Sequence, residues 1–105
     1  MKIPITLQYF DGCPNWQQAA RDLTAAIDGT GIEVDITYQK VETHSEAERL
    51  EFRGSPTILI SGADPFADTK APTGLSCRVY RTGEMTSGSP GVEALQEVLL
   101  AAARS

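Results

Sequence analysis

Ile3, Ile5, Leu7 and Tyr9 alternate with other positions near the start of the chain. Ile32, Val34, Ile36 and Tyr38 do so again, with Val41 closing the second run. Each run reads as a strand with one face buried. Pro4 is tolerable so near the start of a strand. Between the runs lies one stretch of helical periodicity, Trp16, Ala20, Leu23 and Ile27. Ala19 and Ala26 widen its stripe to what a helix lying on a sheet presents. A helix of this length joining two strands is a βαβ unit, so the two strands should run parallel. The spacing predicts the helix over 14–28. Pro14 suits the first helical position, where its missing N–H has no partner to lose. Gly29-Thr30-Gly31 supplies the left-handed cap.

Downstream, Thr43-His44-Ser45-Glu46 is a capping box, and a short helix should follow through Ala47 and Leu50 to about Glu51. Thr57-Ile58-Leu59-Ile60, just after Pro56, reads as a buried central strand. Ser61 to Gly74 is a connection of about 14 residues, longer than most in a compact domain, and such loops are functional or mobile. Leu75, Cys77 and Val79 alternate with Ser76, Arg78 and Tyr80, which predicts a fourth strand with Cys77 on its core face. Thr82 to Gly88 reads as a flexible connection. Ser89-Pro90 opens a last helix whose stripe is Val92, Leu95, Leu99 and Ala102, with Val98 at its edge. The order is β-α-β-α-β-β-α, an α/β chain read as one domain over 1–105 with a single hydrophobic core.

The net charge is −5, and Lys and Arg are scattered along the chain. Nucleic acid and anionic membrane surfaces need a basic patch, so neither is expected as a partner. No apolar run approaches the roughly 20 residues of a membrane span. The N-terminus carries one Lys and then a strand pattern in place of a signal peptide, which predicts a cytoplasmic protein. Two cysteines are too few for a disulfide framework, and in a reducing compartment they are reactive or buried. With a single His, no metal site is expected.

Cys13 stands at the turn from first strand to first helix. Unpaired backbone N–H groups and the positive end of the helix dipole favour thiolate there, and thiolate is the reactive form. Strand, Cys13-Pro14-Asn15-Trp16, helix resembles the start of the thioredoxin/glutaredoxin superfamily, whose glutaredoxin members carry Cys-Pro-x-Cys. Phe52-Arg53-Gly54-Ser55-Pro56-Thr57-Ile58-Leu59 resembles that superfamily's segment in which a cis-proline precedes the third core strand and packs against the active cysteine. The resemblance implies a thioredoxin-like fold, a four-stranded mixed sheet flanked by helices. Cys13, Ser55-Pro56 and the loop around Gly83 to Gly88 would share one pole of that sheet. It further implies that Ser55 offers its backbone to an extended thiol substrate and that Pro56, in cis, fixes the geometry.

Trp16 stands where the family's resolving cysteine would be. The implied activity is therefore single-cysteine exchange at Cys13 with a small thiol, glutathione being the candidate, or with a protein disulfide partner. An outside thiol would resolve the intermediate. No resident cofactor is implied. Trp16 reads as a substrate platform, a wall over the thiol, or the core-facing first member of the helix stripe. Asp11 would oppose the thiolate, and reads as a turn residue or as a proton carrier. His44, in the first turn of a short helix, reads as solvated.

On the predicted strand direction Cys77 begins at the opposite pole, about 13 Å from Pro56 at ~3.3 Å per residue. A disulfide needs Cα atoms within about 7 Å, so no Cys13–Cys77 bond is expected unless the long preceding loop folds back. With the sulfurs close, the chain would resemble two-cysteine organomercury-cleaving proteins, and the pair would suit a soft metal or organomercurial, or a redox switch. A non-catalytic binding or sensing module is a further reading, drawn from Trp16 in the resolving position.

Overall fold

A computed structural model describes residues 2–67, 72–82 and 85–104. The elements are β1 (Ile3–Tyr9), α1 (Asn15–Thr30), β2 (Val34–Lys40), α2 (His44–Arg49), β3 (Thr57–Ile60), β4 (Tyr80–Thr82), β5 (Met85–Ser87) and α3 (Val92–Arg104). β1, β2 and β3 make one mixed sheet in the order β2-β1-β3. β1 runs parallel to β2 and antiparallel to β3, so Ile5 lies between Ile36 and Ile60 and Leu7 between Tyr38 and Ile58. Ile5, Leu7, Ile58 and Ile60 of the sheet, Ala19, Leu23 and Ala26 of α1, and Leu95 and Leu99 of α3 form the main core. A smaller cluster of Val41, Ala47 and Phe52, with Phe10 and Leu75 against it, sits where β1 and β2 end.

The local signals explain the boundaries. Gly31 caps α1 at φ 70°, its N–H bonded to Ile27 O at 3.0 Å, and only glycine holds that backbone without strain. Thr43 caps α2 by accepting from the Glu46 N–H at 3.1 Å. Ser89 does not begin α3 directly. Its hydroxyl donates to Asp22 at 2.8 Å and accepts from the Gly91 N–H at 3.3 Å, tying the approach to α3 onto α1.

The expected four-stranded sheet, and with it the β-α-β-α-β-β-α order, is overturned. Among the described residues the main sheet has three strands, and β4 and β5 form a separate antiparallel pair with Tyr80 opposite Ser87. The expected flexible connection over 82–88 therefore contains strand, although residues 83 and 84 lie outside those described. Residues 75–79 pair with the sheet only through one parallel bridge, Ser55 to Cys77. The physical reason is the length of the connection after β3. It turns back at Ser61-Gly62 and Ala63 bridges Ile60, but among the described residues the pairing with β3 stops there, and residues 75–78 cross Ser55 at the end where β3 starts. Residues 68–71 of that connection lie outside those described.

The inward face of this segment is also opposite to the expected one. Val79 is 65% exposed and Cys77 is an exposed residue, while Tyr80 is 4% exposed. Both faces carry bulky side chains, so alternation alone did not decide between them. Tyr80 finds a buried hydrogen-bond acceptor and Arg78 a part-buried carboxylate, and that settles the register.

Candidate functional site: the Cys13–Cys77 pair

β1 exits through Phe10-Asp11-Gly12, and a tight turn closes with the Cys13 N–H bonded to Phe10 O at 3.3 Å. Cys13 is thereby held two residues before α1 begins, and it is fully buried. Ser55 is also fully buried. Its hydroxyl accepts from the Phe10 N–H at 3.3 Å, which fastens the approach to β3 onto the exit of β1. The Ser55–Pro56 peptide bond is cis. Cys13 Sγ lies 3.7 Å from the Ser55 carbonyl oxygen.

Cys77 is disulfide-bonded to Cys13, with the two Cα atoms 5.7 Å apart, a separation ordinary for a disulfide. The expectation that Cys77 starts at the far pole, buried on the core face, is thus corrected. The returning connection brings it to the pole where β1 ends and β3 starts.

Backbone pairing fixes it there. The Ser55 N–H donates to Ser76 O at 2.8 Å, and the Arg78 N–H donates to Ser55 O at 2.9 Å. Both polar groups of Ser55 are thus engaged by the residues flanking Cys77, in the manner of a strand added to an edge. Gly54 lets the segment come so close. A Cβ there would stand 2.8 Å from Arg78 Cβ, and its φ of +132° disfavours any side chain.

Arg78 anchors the segment from within. Its guanidinium donates to Asp64 at 2.7 Å, to the Thr57 hydroxyl at 3.3 Å and to the Phe66 carbonyl, and it lies over the Tyr80 ring at 4.5 Å from the centroid. The Tyr80 hydroxyl donates to Pro56 O at 2.5 Å. Burial pushes that hydroxyl well above its ordinary pKa. The Arg78 charge opposes the rise and the Asp64 carboxylate adds to it.

The two cysteines differ in access. Cys13 has no exposed surface, whereas Cys77 lines a cleft of about 790 Å³ together with Arg53, Phe66, Pro72, Ser76 and Val79. The other expected participants are not gathered at the sulfurs by any contact. Trp16 stacks on Tyr9, ring centroids 4.3 Å apart, and packs against the main core. Asp11 pairs with Lys40 at 2.6 Å in an exposed position, and by accepting that hydrogen bond it holds the ammonium above its ordinary pKa. His44 is exposed at the start of α2. Gly88 of the expected pole loop packs against the Asn15 side chain at the start of α1, and Gly83 lies outside the described residues.

Arg78, Asp64, Phe66 and Tyr80 were missed as site-forming residues. One signal was present: Asp64-Pro65-Phe66 is an Asx-turn sequence, and Asp64 does accept from the Phe66 N–H at 2.9 Å. It marked a structured stretch inside the long connection.

Among the described residues, no group of three or more His, Cys, Asp and Glu could hold a metal, and no helix is long and apolar enough to cross a membrane. A disulfide with one buried and one accessible half can be opened by an outside thiol and re-formed by an outside disulfide. The chain matches no protein-family model, no curated protein and no solved structure.

Proposed function

We propose that this protein is a thiol–disulfide exchange protein whose couple is Cys13 and Cys77, so that the second thiol, which the single-cysteine expectation left to an outside partner, is supplied by the chain itself. The observation that carries this is the pairing of Ser76 and Arg78 with both backbone groups of Ser55, which holds Cys77 against Cys13. In the thioredoxin/glutaredoxin superfamily, which the Cys13-Pro14 and Ser55-Pro56 motifs resemble, an extended thiol substrate would pair with the residue before the cis-proline. Here the chain's own segment takes that place. The disulfide plus two partner thiols gives the dithiol and one partner disulfide, and the reverse reaction oxidises the protein. The partner is a small thiol such as glutathione, or a protein disulfide, and the reading needs no bound cofactor, nucleic acid or membrane. We assign the reaction to the cytoplasm, where thiols are kept reduced and disulfides are mostly transient.

The test starts from reduced protein and oxidised glutathione, with free thiol counted and protein mass followed after alkylation. Wild type should regain its internal disulfide and release about two glutathione thiols per chain, as the exchange stoichiometry requires. Each single Cys→Ser variant should release at most one. A dithiol that survives the treatment unchanged would contradict the proposal and leave a binding module.

A second reading uses the same pair as a two-thiolate seat for a soft metal ion or an organomercurial, favoured by the 5.7 Å Cα separation. Tight binding of one mercuric ion by the reduced protein, lost in either variant, together with no response to oxidised glutathione, would select it.

A further inference from the structure

We propose that Cys77, not the helix-proximal Cys13, is the sulfur that exchanges with the partner, and that Cys13 is the internal leaving and resolving thiol. This rests on the thiol–disulfide reading above and assigns its two sulfurs opposite roles from those that the Cys13-Pro14 motif suggests.

Access carries the assignment. Exchange at a disulfide requires a thiolate to approach one sulfur in line with the bond, from the side opposite the other sulfur. An attack on Cys13 would have to come from behind Cys13, and that residue has no exposed surface. An attack on Cys77 comes from the Cys77 side, where the cleft between Phe66, Pro72 and Val79 opens. The alternative entry, an extended chain pairing with Ser55, is closed while the disulfide is intact. The Ser55 N–H and carbonyl are both taken, by Ser76 and Arg78.

Leaving-group chemistry does not reverse this. The start of α1 favours a Cys13 thiolate, whereas burial and the Ser55 carbonyl at 3.7 Å favour the thiol, so the two influences oppose each other.

The steps balance. A partner thiolate attacks Cys77 Sγ, the Cys13–Cys77 bond breaks, and Cys13 leaves as a thiolate that takes a proton from solvent. A second partner thiol then attacks the partner sulfur of the mixed disulfide, releasing the partner disulfide and the Cys77 thiolate. In the oxidising direction the Cys77 thiolate attacks the partner disulfide and expels one partner thiolate. Cys13 then attacks Cys77 Sγ and expels the second.

The test compares Cys13→Ser, which keeps only Cys77, with Cys77→Ser, which keeps only Cys13. Both are treated with oxidised glutathione, folded and in guanidinium, and mixed-disulfide formation is followed by intact mass. The unfolded rates give the intrinsic reactivity and should agree. Folded Cys13→Ser should react at least about tenfold faster than folded Cys77→Ser, whose thiol waits for local opening. In wild type briefly exposed to limiting reduced glutathione and acid-quenched, the glutathionylated peptide should be the one containing Cys77. Equal or reversed folded rates, or glutathione found on Cys13, would overturn the assignment while wild-type reoxidation kept the exchange reading standing. If neither folded variant reacts and the wild-type dithiol is inert, the exchange reading falls and takes this assignment with it.

Discussion

Arg78 is the residue on which the position of Cys77 most depends, because it is the next in the chain and its side chain is locked from three sides. Its side chain is 9% exposed and that of Asp64 19%, so the pair is partly shielded from water. Removing one partner of a charge-assisted hydrogen bond of this kind costs about 1–3 kcal/mol. Arg78→Met should therefore lower the unfolding free energy by about that amount, and Asp64→Asn combined with it should cost less than the two changes summed. A double-mutant cycle by chemical denaturation measures both. Tyr80 gives a test against pH. The folded chain holds its hydroxyl proton above the ordinary value near 10, at which the unfolded chain releases it. The folded state then binds more protons, so stability falls as pH rises past about 10. Tyr80→Phe should flatten that decline. At neutral pH it should cost about 1–3 kcal/mol, since the Pro56 carbonyl loses its donor.

At the scale of elements, the close crossing of 76–78 over Ser55 depends on Gly54. Gly54→Ala puts a Cβ 2.8 Å from Arg78 Cβ at a φ of +132°. Strain of this kind costs about 1–3 kcal/mol. It should fall on the docked segment, so reoxidation of the Cys13/Cys77 dithiol by oxidised glutathione should slow, while far-ultraviolet circular dichroism of the reduced protein stays close to wild type. The same crossing explains what the sequence left illegible. The βαβ unit, its glycine cap and the existence of the Thr57–Ile60 strand follow from periodicity and from glycine and proline at fixed places, signals that are local, although that strand lies at the sheet's edge and β1 takes the central place. Where the chain goes after Ile60 is not local. It turns on whether Arg78 and Tyr80 find their partners, and those partners, Asp64 and Pro56, lie 14 and 24 positions away. Alternation does not choose between the two bulky faces of 75–80, and taking Leu75, Cys77 and Val79 as the core face puts the sulfur at the wrong end of the sheet.

For the molecule as a whole, the disulfide closes a loop of 64 positions that contains α1, β2, α2 and β3. Constraining the unfolded chain over such a length stabilises the fold by about 2–4 kcal/mol. Reduction should therefore lower the midpoint of denaturation without unfolding the protein, since the main core of β1, β3, α1 and α3 includes neither cysteine. A chain that unfolds outright on reduction would make the bond a structural staple, unsuited to a reaction cycle. The most direct test of the central claim, that Cys13 and Cys77 form a working redox couple, is equilibrium titration of the pair in glutathione buffers, quenched by alkylation and read by mass. The accessible Cys77 predicts a midpoint above about −300 mV, in the range where exchange proteins sit. A bond that stays closed at every attainable glutathione ratio, with a midpoint below that value, would contradict the account.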